Sequence, residues 1–588
     1  MQSNQKVSPN PDIESTIINS ALWAAAGDAL GWITELSGGE GGVIRRTGDS
    51  KVVQTVSWER IIGGKSGVKV KLPAGTYSDD TQLRLAVSRS IQPTGFFDVE
   101  SFAKIELTVW LNYALGGGIG TKAAAQNLTK RSVNWFSNFF VNEKQNYFRS
   151  GGNGAAMRIQ PHVWCTFNSQ YNDDFILNVL KDSLVTHGHP HGFCGAVFHA
   201  LMLQDTIKTR KIPAPHDWHK YLDVIKNLNE VIESDSQLKT FWLSSWEREN
   251  DKSLKRGLQE FVDEVSKDVE IIINHLGEIN PNFHEILYSL GCLTKKYKGS
   301  GIKTALASGV LAYLFQNRDI KEALICAANE LDSDTDTIAT MCGSLLGSLS
   351  STLPNWDIQD SFYIINEVKR LVSTSSQIQT SQDFIYPEIS LWVPPSSQIN
   401  TVGKHGGDLH IAGLGKLKAL NDVSYSNGNA LWKWYSLPFG QTILAKCRKT
   451  DLKNLHFNQI SLNKNKINAD VAYIEKTKEK YQRLQNQNEV EITQELELDL
   501  FNPSQVSKDT SHTDNKSDEN KYNSSSKLEQ VKDFLDYVTD EVINSNFDNY
   551  VIGKMLNECI DRTQSIQSVV SFAGIIAKAK IVRQRKNK

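Results

Sequence analysis

Residues 330–347 read ELDSDTDTIATMCGSLLG, and the fold turns on how this stretch is read. Glu330, Asp332, Asp334 and Asp336 place four acids within seven residues. No Lys or Arg occurs between Glu322 and Val368, so Asp334 and Asp336 have no cation nearby in sequence. Carboxylates crowded in this way protonate, recruit a distant cation or hold a metal. Oxygen donors with hydroxyls interleaved suit Mg²⁺ or Mn²⁺ rather than zinc. The knot leads into Ile338-Ala339-Thr340-Met341, the start of a helix expected near 335–349.

A second knot, Ser78-Asp79-Asp80-Thr81, opens an amphipathic segment over 79–91. Ser and Asp are favoured helix caps, and negative charge is favoured at a helix N-terminus. Capping accounts for one or two acids in each knot. It does not account for four in seven residues, nor for the same device appearing twice. Three further motifs stand out. Gly27-Asp28-Ala29-Leu30-Gly31 ends a helix of small residues that lets backbones approach closely, and it leads to Glu35. Ser150-Gly151-Gly152-Asn153-Gly154 offers backbone N–H groups suited to a phosphate or ribose, although by itself a plain loop is the better explanation. His187, His189 and His191 alternate around Pro190. With no Cys or Glu beside them in sequence, one His facing a substrate and two near the surface is a better reading than zinc.

The remainder of the chain sets bounds. Its 588 residues imply two to four domains, and its net charge of −2 makes no global electrostatic case for nucleic acid. Seven scattered cysteines without a Cys-x-x-Cys pair suggest a reducing, cytoplasmic location. The polar N-terminus has no apolar stretch of a secretory signal, and no run is long enough to span a bilayer. Helices are expected over 13–31, 98–115, 172–186, 191–208, 255–276, 301–316, 319–331 and 358–372. Residues 37–75 read as a long loop with one hairpin. Around 385–400 the texture turns to Pro and Gly, and residues 400–500 mix short apolar runs with turns, among them Tyr425-Ser426-Asn427-Gly428-Asn429, with no assignable fold. A Glu/Lys/Gln-rich helix is expected near 470–490. Residues 502–526 are polar, low in complexity and expected to be disordered. Helices are then expected over 527–545 and 562–582, ending in a basic tail at Lys578, Lys580, Arg583, Arg585, Lys586 and Lys588.

GDALGWITE, YSDDTQLRLA, GNGAAMR, SLVTH and DSDTDTIATMCGSLLG occur in that order over some three-fifths of the chain. In content and order they resemble the ADP-ribosylglycohydrolases. The resemblance implies an all-α fold: a large orthogonal helical domain at 12–372, with two Mg²⁺ or Mn²⁺ ions at the base of a cleft. Beyond it lie an accessory region at 373–500, a linker at 501–526 and a C-terminal helical segment at 527–588. It implies metal ligation by Ser78, Asp79, Asp80, Asp334, Asp336 and Thr337, and a catalytic role for Glu35. It implies substrate binding by Ser150, Gly151, Gly152, Asn153 and His187. The implied reaction is hydrolysis of the glycosidic bond joining ADP-ribose to a target, by default an arginine on a protein. A non-catalytic ADP-ribose-binding module of the same fold is the alternative. The expected partner is an ADP-ribosylated protein or other ADP-ribose conjugate, with a further protein partner or nucleic acid left open for the C-terminal region. Many members carry Gly-Gly where this chain has Asp332-Ser333, so Asp332 is not counted as a ligand.

Overall fold

The computed structural model describes residues 11–167, 173–376, 384–460, 534–563 and 566–586. Two compact units, Met1–Asp470 and Val471–Lys588, divide the chain. The first is built on helices: α1 (Pro11–Thr34), α2 (Asp79–Ser90), α3 (Pro190–Thr209), α4 (Leu254–Leu276), α5 (Gly301–Phe315), α6 (Thr335–Gly347) and α7 (Ser361–Ser375), with shorter helices between them.

The centre is the pair α1 and α6. Both are enclosed by protein over most of their length, and every residue of α6 is buried, its polar Thr, Asp and Ser side chains included. Glycines spaced four apart on each helix face the other's backbone. A Cβ on Gly27 would stand 2.4 Å from the Ala339 carbonyl oxygen, and one on Gly31 would stand 2.4 Å from that of Thr335. From the other side, Gly343 approaches the Trp23 carbonyl oxygen and Gly347 that of Asn19, at 2.4 and 2.7 Å. The contacts run antiparallel in register, so the C-terminus of α1 meets the N-terminus of α6. Glu35 and the Asp334–Thr337 knot are thereby brought together. α3 and α5 pack on the flanks of α6, and α7 on α1.

The loop expected over 37–75 carries a short helix, Glu40–Thr47, and then the expected hairpin: β1 (Trp58–Ile62) and β2 (Val68–Leu72), antiparallel with Trp58 opposite Leu72. The segment beyond 385, which had no assignable fold, contains two small antiparallel sheets. β3 (Val402–His405), β4 (Asp408–Ile411) and β5 (Gly415–Lys416) form one. β6 (Lys418–Asn427), β7 (Ala430–Ser436) and β8 (Thr442–Arg448) form the other. The second sheet packs against the helical part through a buried polar network. Arg89 on α2 makes a bidentate pair with Glu106 at 2.7 and 2.8 Å and also donates to Gln441 at 2.8 Å, while the Tyr386 hydroxyl donates to Glu106.

In the second unit, α8 (Phe534–Asn544), α9 (Asn549–Thr563) and α10 (Ile566–Lys586) share a small core that includes Val538, Phe547, Met555, Cys559 and Phe572. Two helices were expected here. α9 intervenes, entered through a turn in which Asn546 and Phe547 both have positive φ. Arg583 of the basic tail closes that turn, donating to Asn546 at 3.1 Å and lying over the Phe547 ring. The expected helix at 470–490, the 501–526 linker and the start of the 527–545 helix lie outside the described residues. Among those described, the seven cysteines form no disulfide, and no helix is long and apolar enough to cross a membrane.

Candidate active site

Where α1 meets α6, a cleft of about 840 Å³ opens. Of the residues singled out in the sequence, Glu35, Asp79, Asp80, Ser150–Asn153, His187, Asp334, Asp336 and Thr337 all line it. Ser78 does not. Its side chain is wholly buried and caps α2, accepting from the Asp80 N–H at 3.2 Å. Capping therefore does explain part of the first knot. It fails for the second: Asp334 occupies the cap position of α6 without making a cap bond, and its Oδ2 accepts from Asn153 Nδ2 at 3.1 Å.

The acids are held close by their backbones. Asp28, fully buried, accepts from the N–H groups of Ser78 and Thr81 at 2.9 Å each and from the Thr81 hydroxyl at 2.6 Å. That fastens the middle of α1 to the first turn of α2 and sets a carboxyl behind Asp79 and Asp80. Gly116, at φ +94°, leaves the room Asp79 uses, since a Cβ there would stand 2.6 Å from Asp79 Oδ1. The crowding is visible in acidity. Burial, then the charge of Glu35, pushes Asp79 up to about 7. Burial, then Asp28, Asp79 and Asp334, holds Asp80 well above the carboxylate range. Asp336 is raised in the same way by burial and by Glu35, Asp334 and Asp80. Burial also raises Glu35, against the opposing pull of Arg60 at 3.1 Å.

Arg60, Lys122 and the buried Arg84 offset part of this charge, and the acids still outnumber them. Asp80 Oδ2 is buried without a geometrically formed hydrogen bond, and Asp80 Oδ1 accepts from the Thr337 hydroxyl at 3.4 Å. As the side chains stand, no three His, Cys, Asp or Glu residues among those described converge on one ion position. The donor set, all oxygen and short of positive charge, nonetheless fits hard divalent cations.

The opposite wall is the glycine loop. Asn153 N–H donates to the Gly299 carbonyl at 2.9 Å and Gly301 N–H to that of Gly151 at 3.0 Å, so the loop is zipped to the entry of α5. His187 lies behind it. Its Nδ1 is 2.7 Å from the Thr186 hydroxyl, and burial, then Arg158, lowers it to about 3, so it stays neutral. Arg158, the last residue of the GNGAAMR motif, pairs with Asp182 at 2.8 Å and donates to Thr186 at 3.0 Å, which orients that hydroxyl.

His189 and His191, expected near the surface, are half-buried and buried. His191 sits 3.0 Å from the Ser300 hydroxyl and 3.2 Å from Glu264 on α4. That Glu is 73 residues away, which is why the sequence offered no partner. Three other residues of the site went unrecognised: Arg60, Gly116 and Gly117. The last donates its N–H to Asp79. The run Gly116-Gly117-Gly118 is a visible signal for two of them; Arg60 sits in an ordinary hairpin and carries none.

A family model described as ADP-ribosylglycohydrolase matches residues 9–363. Among characterised proteins, the chain is 25% identical over 180 residues to an ADP-ribosyl-[dinitrogen reductase] glycohydrolase of Rhodospirillum rubrum, a match covering 31% of this chain and 54% of that protein. Among solved structures, a chain titled "ADP-ribosylglycohydrolase-related protein complex" aligns at 18% identity with a TM-score of 0.38, covering 62% of this chain and all of that one.

Proposed function

The chain belongs to the ADP-ribosylglycohydrolase family, and from that premise we propose that it hydrolyses the glycosidic bond between ADP-ribose and a target, in a reaction that depends on two divalent cations. One observation carries the reading: acids from three separate segments, Glu35, Asp79–Asp80 and Asp334–Asp336, meet in one cleft opposite a loop of backbone donors. In this reading Asp79, Asp80, Asp334, Asp336 and Thr337 hold Mg²⁺ or Mn²⁺, and Ser78 contributes by fixing the first turn of α2. The chemistry such ions supply when bound is orientation of the ribose hydroxyls and polarisation of oxygen.

The protein's own groups do the rest. Within the loop Ser150–Asn153, the N–H groups of Gly151 and Gly152 grip the diphosphate and distal ribose, those of Ser150 and Asn153 being donated to the Tyr147 and Gly299 carbonyls. His187, neutral and oriented by Thr186, accepts or donates one hydrogen bond at the sugar. Glu35 transfers the proton between attacking water and leaving group, since burial brings its carboxyl closer to the working pH than an exposed one. Arg60 holds that carboxylate at the cleft edge. The acids serve mainly as ligands, so the two-carboxylate glycosidase scheme does not apply.

Arginine-linked ADP-ribose on protein is the default acceptor. The test is release of ADP-ribose from arginine- and serine-linked substrates by the purified protein with Mg²⁺, with Mn²⁺ and with EDTA. Release from the arginine conjugate, abolished by EDTA, is expected. No release from any conjugate with either ion present would overturn the reading.

A further inference from the structure

Beyond Glu35, on the side away from the glycine loop, lies a second cleft of about 1150 Å³. It shares Glu35, Leu36, Gly117 and Ile119 with the first, so the two are continuous across the reacting edge. One wall is the β1–β2 hairpin, one is the segment 140–144, and a third includes Gln398, which lies beyond the residues matched by the family model.

Two independent features of this cleft point to a ligand. Its lining groups four exposed apolar residues in one place, Leu36, Ile61, Ile119 and Val141, exposed at 64, 65, 62 and 72%. Grouped exposed apolar residues ringed by polar ones mark interaction sites. Its charge is also one-sided. Arg60 is paired with Glu35 and Lys122 faces Asp79, which leaves Lys130 and Lys144 against Glu143.

We propose that this cleft binds the acceptor, and that it takes a polypeptide segment combining acidic and aliphatic side chains around the modified residue. The inference rests on the hydrolase reading above, which places the scissile bond at Glu35. The acceptor must leave the cleft on the side away from ADP-ribose, and this is the continuation available there. Aliphatic partners suit the four exposed apolar residues, and carboxylates suit the lysines. The amides of Gln126, Asn127, Asn142 and Gln398 can pair with peptide backbone. A single-stranded nucleic acid fits less well. Binding one calls for exposed aromatic faces on which bases stack, and the lining holds a single aromatic, Phe140, which is 4% exposed.

The accessory sheets give the cleft its shape. Asn112 donates to the carbonyls of Gln398 and Lys446 at 2.6 Å each, tying the 398 segment and β8 to the helical part. Asn427, at the end of β6, donates to the carbonyls of Ser66 and Gly67 in the hairpin turn, and Trp432 on β7 covers Gly63. The hairpin that presents Ile61 and Arg60 is thus braced from outside the family domain.

The test uses the full chain in two arms. In the first, fluorescence anisotropy compares an unmodified labelled peptide of Glu and Leu with its Lys-for-Glu counterpart. The acidic peptide is expected to bind at least about tenfold more tightly, and Lys130→Glu with Lys144→Glu to remove that margin. Both lysines are exposed, so the fold is retained, which circular dichroism verifies. Equal binding of the two peptides, indifference to the charge reversal, or displacement by a single-stranded oligonucleotide that binds more tightly would each overturn the proposal. In the second arm, one ADP-ribosyl-arginine peptide is presented with acidic or basic flanks. A higher kcat/KM with acidic flanks is expected, and equal values would overturn the inference while leaving the hydrolase reading intact. Failure to cleave either peptide removes arginine as the acceptor, the conjugate assay above decides the hydrolase reading, and the anisotropy arm still decides what the cleft binds.

Discussion

Replacing Gly31 by Ala tests the central construction of the molecule. An ideal Cβ at this position stands 2.4 Å from the Thr335 carbonyl oxygen, 2.5 Å from Asp336 Cα and 2.7 Å from Asp336 N. Those atoms are backbone and cannot rotate aside. Restoring ordinary contact at 3.4 Å moves α1 and α6 apart by roughly 1 Å. Overpacking of this kind costs up to ~3 kcal/mol, and the better helix propensity of Ala returns ~1 kcal/mol. The expected net loss is ~2 kcal/mol, read as a lower urea midpoint of the first unit's unfolding by circular dichroism. The displacement falls at Asp336 itself, so hydrolysis should fall by about a hundredfold, the usual effect of a 1 Å misplacement at a reacting centre. Gly41→Ala is the control, because only the Arg45 guanidinium, at 3.7 Å, lies near its added carbon; its midpoint should not fall. A Gly31→Ala protein with wild-type midpoint and wild-type activity would refute the claim that a glycine-mediated helix contact assembles the site.

Asp80→Asn replaces a carboxyl whose ionisation burial and the neighbouring acids already disfavour, so without divalent ions its stability should change little. Wild-type protein at an ion concentration a hundred times Kd should gain ~2.7 kcal/mol, seen as a rise in Tm, and the variant should lose that gain. Arg60→Ala frees the Glu35 carboxylate; kcat is expected to drop ten- to a hundredfold or so, with little change in calorimetric affinity for ADP-ribose. His199, buried on α3 and lowered to about 3 by burial and then by Arg84, sets a stability trend with pH. The unfolded chain binds a proton near 6.5 and the folded one resists it, so stability is complete above 6.5 and is lost as pH falls from there toward 3. At pH 5 this amounts to ~2 kcal/mol, and His199→Leu should flatten the slope of unfolding free energy between pH 7 and 5 by that amount.

Much of the site was legible because its chemistry is local. Asp334 and Asp336 stand in a stretch without cations, and Ser78-Asp79-Asp80 opens a helix. Short-range spacing also located α2, α3, α5 and α6 within a few residues. The accessory sheets were not legible. β6 is exposed at nearly every position, so it lacks the alternation that marks a half-buried strand. The one strong local cue, Asn427-Gly428 between β6 and β7 with Gly428 at φ +57°, was read only as a turn. α9 was missed because its few apolar residues form a face only against α8 and α10.

The sequence by itself determined which residues carry the charge and where helices begin, since capping, glycine spacing and the absence of Lys and Arg are properties of neighbours along the chain. Tertiary structure alone decided what those residues face. Asp28 became the fastener of α2 and not a member of the cleft, because its partners lie 50 and 53 residues away. Ser78 became a cap, and Asp334 did not. Glu35 acquired Arg60, and His191 acquired Glu264. The second cleft exists only because sheets remote in sequence brace a hairpin beside Glu35. A buried charge or an exposed aliphatic side chain takes its meaning from what packs around it, and that is settled by the folded chain rather than by spacing along it.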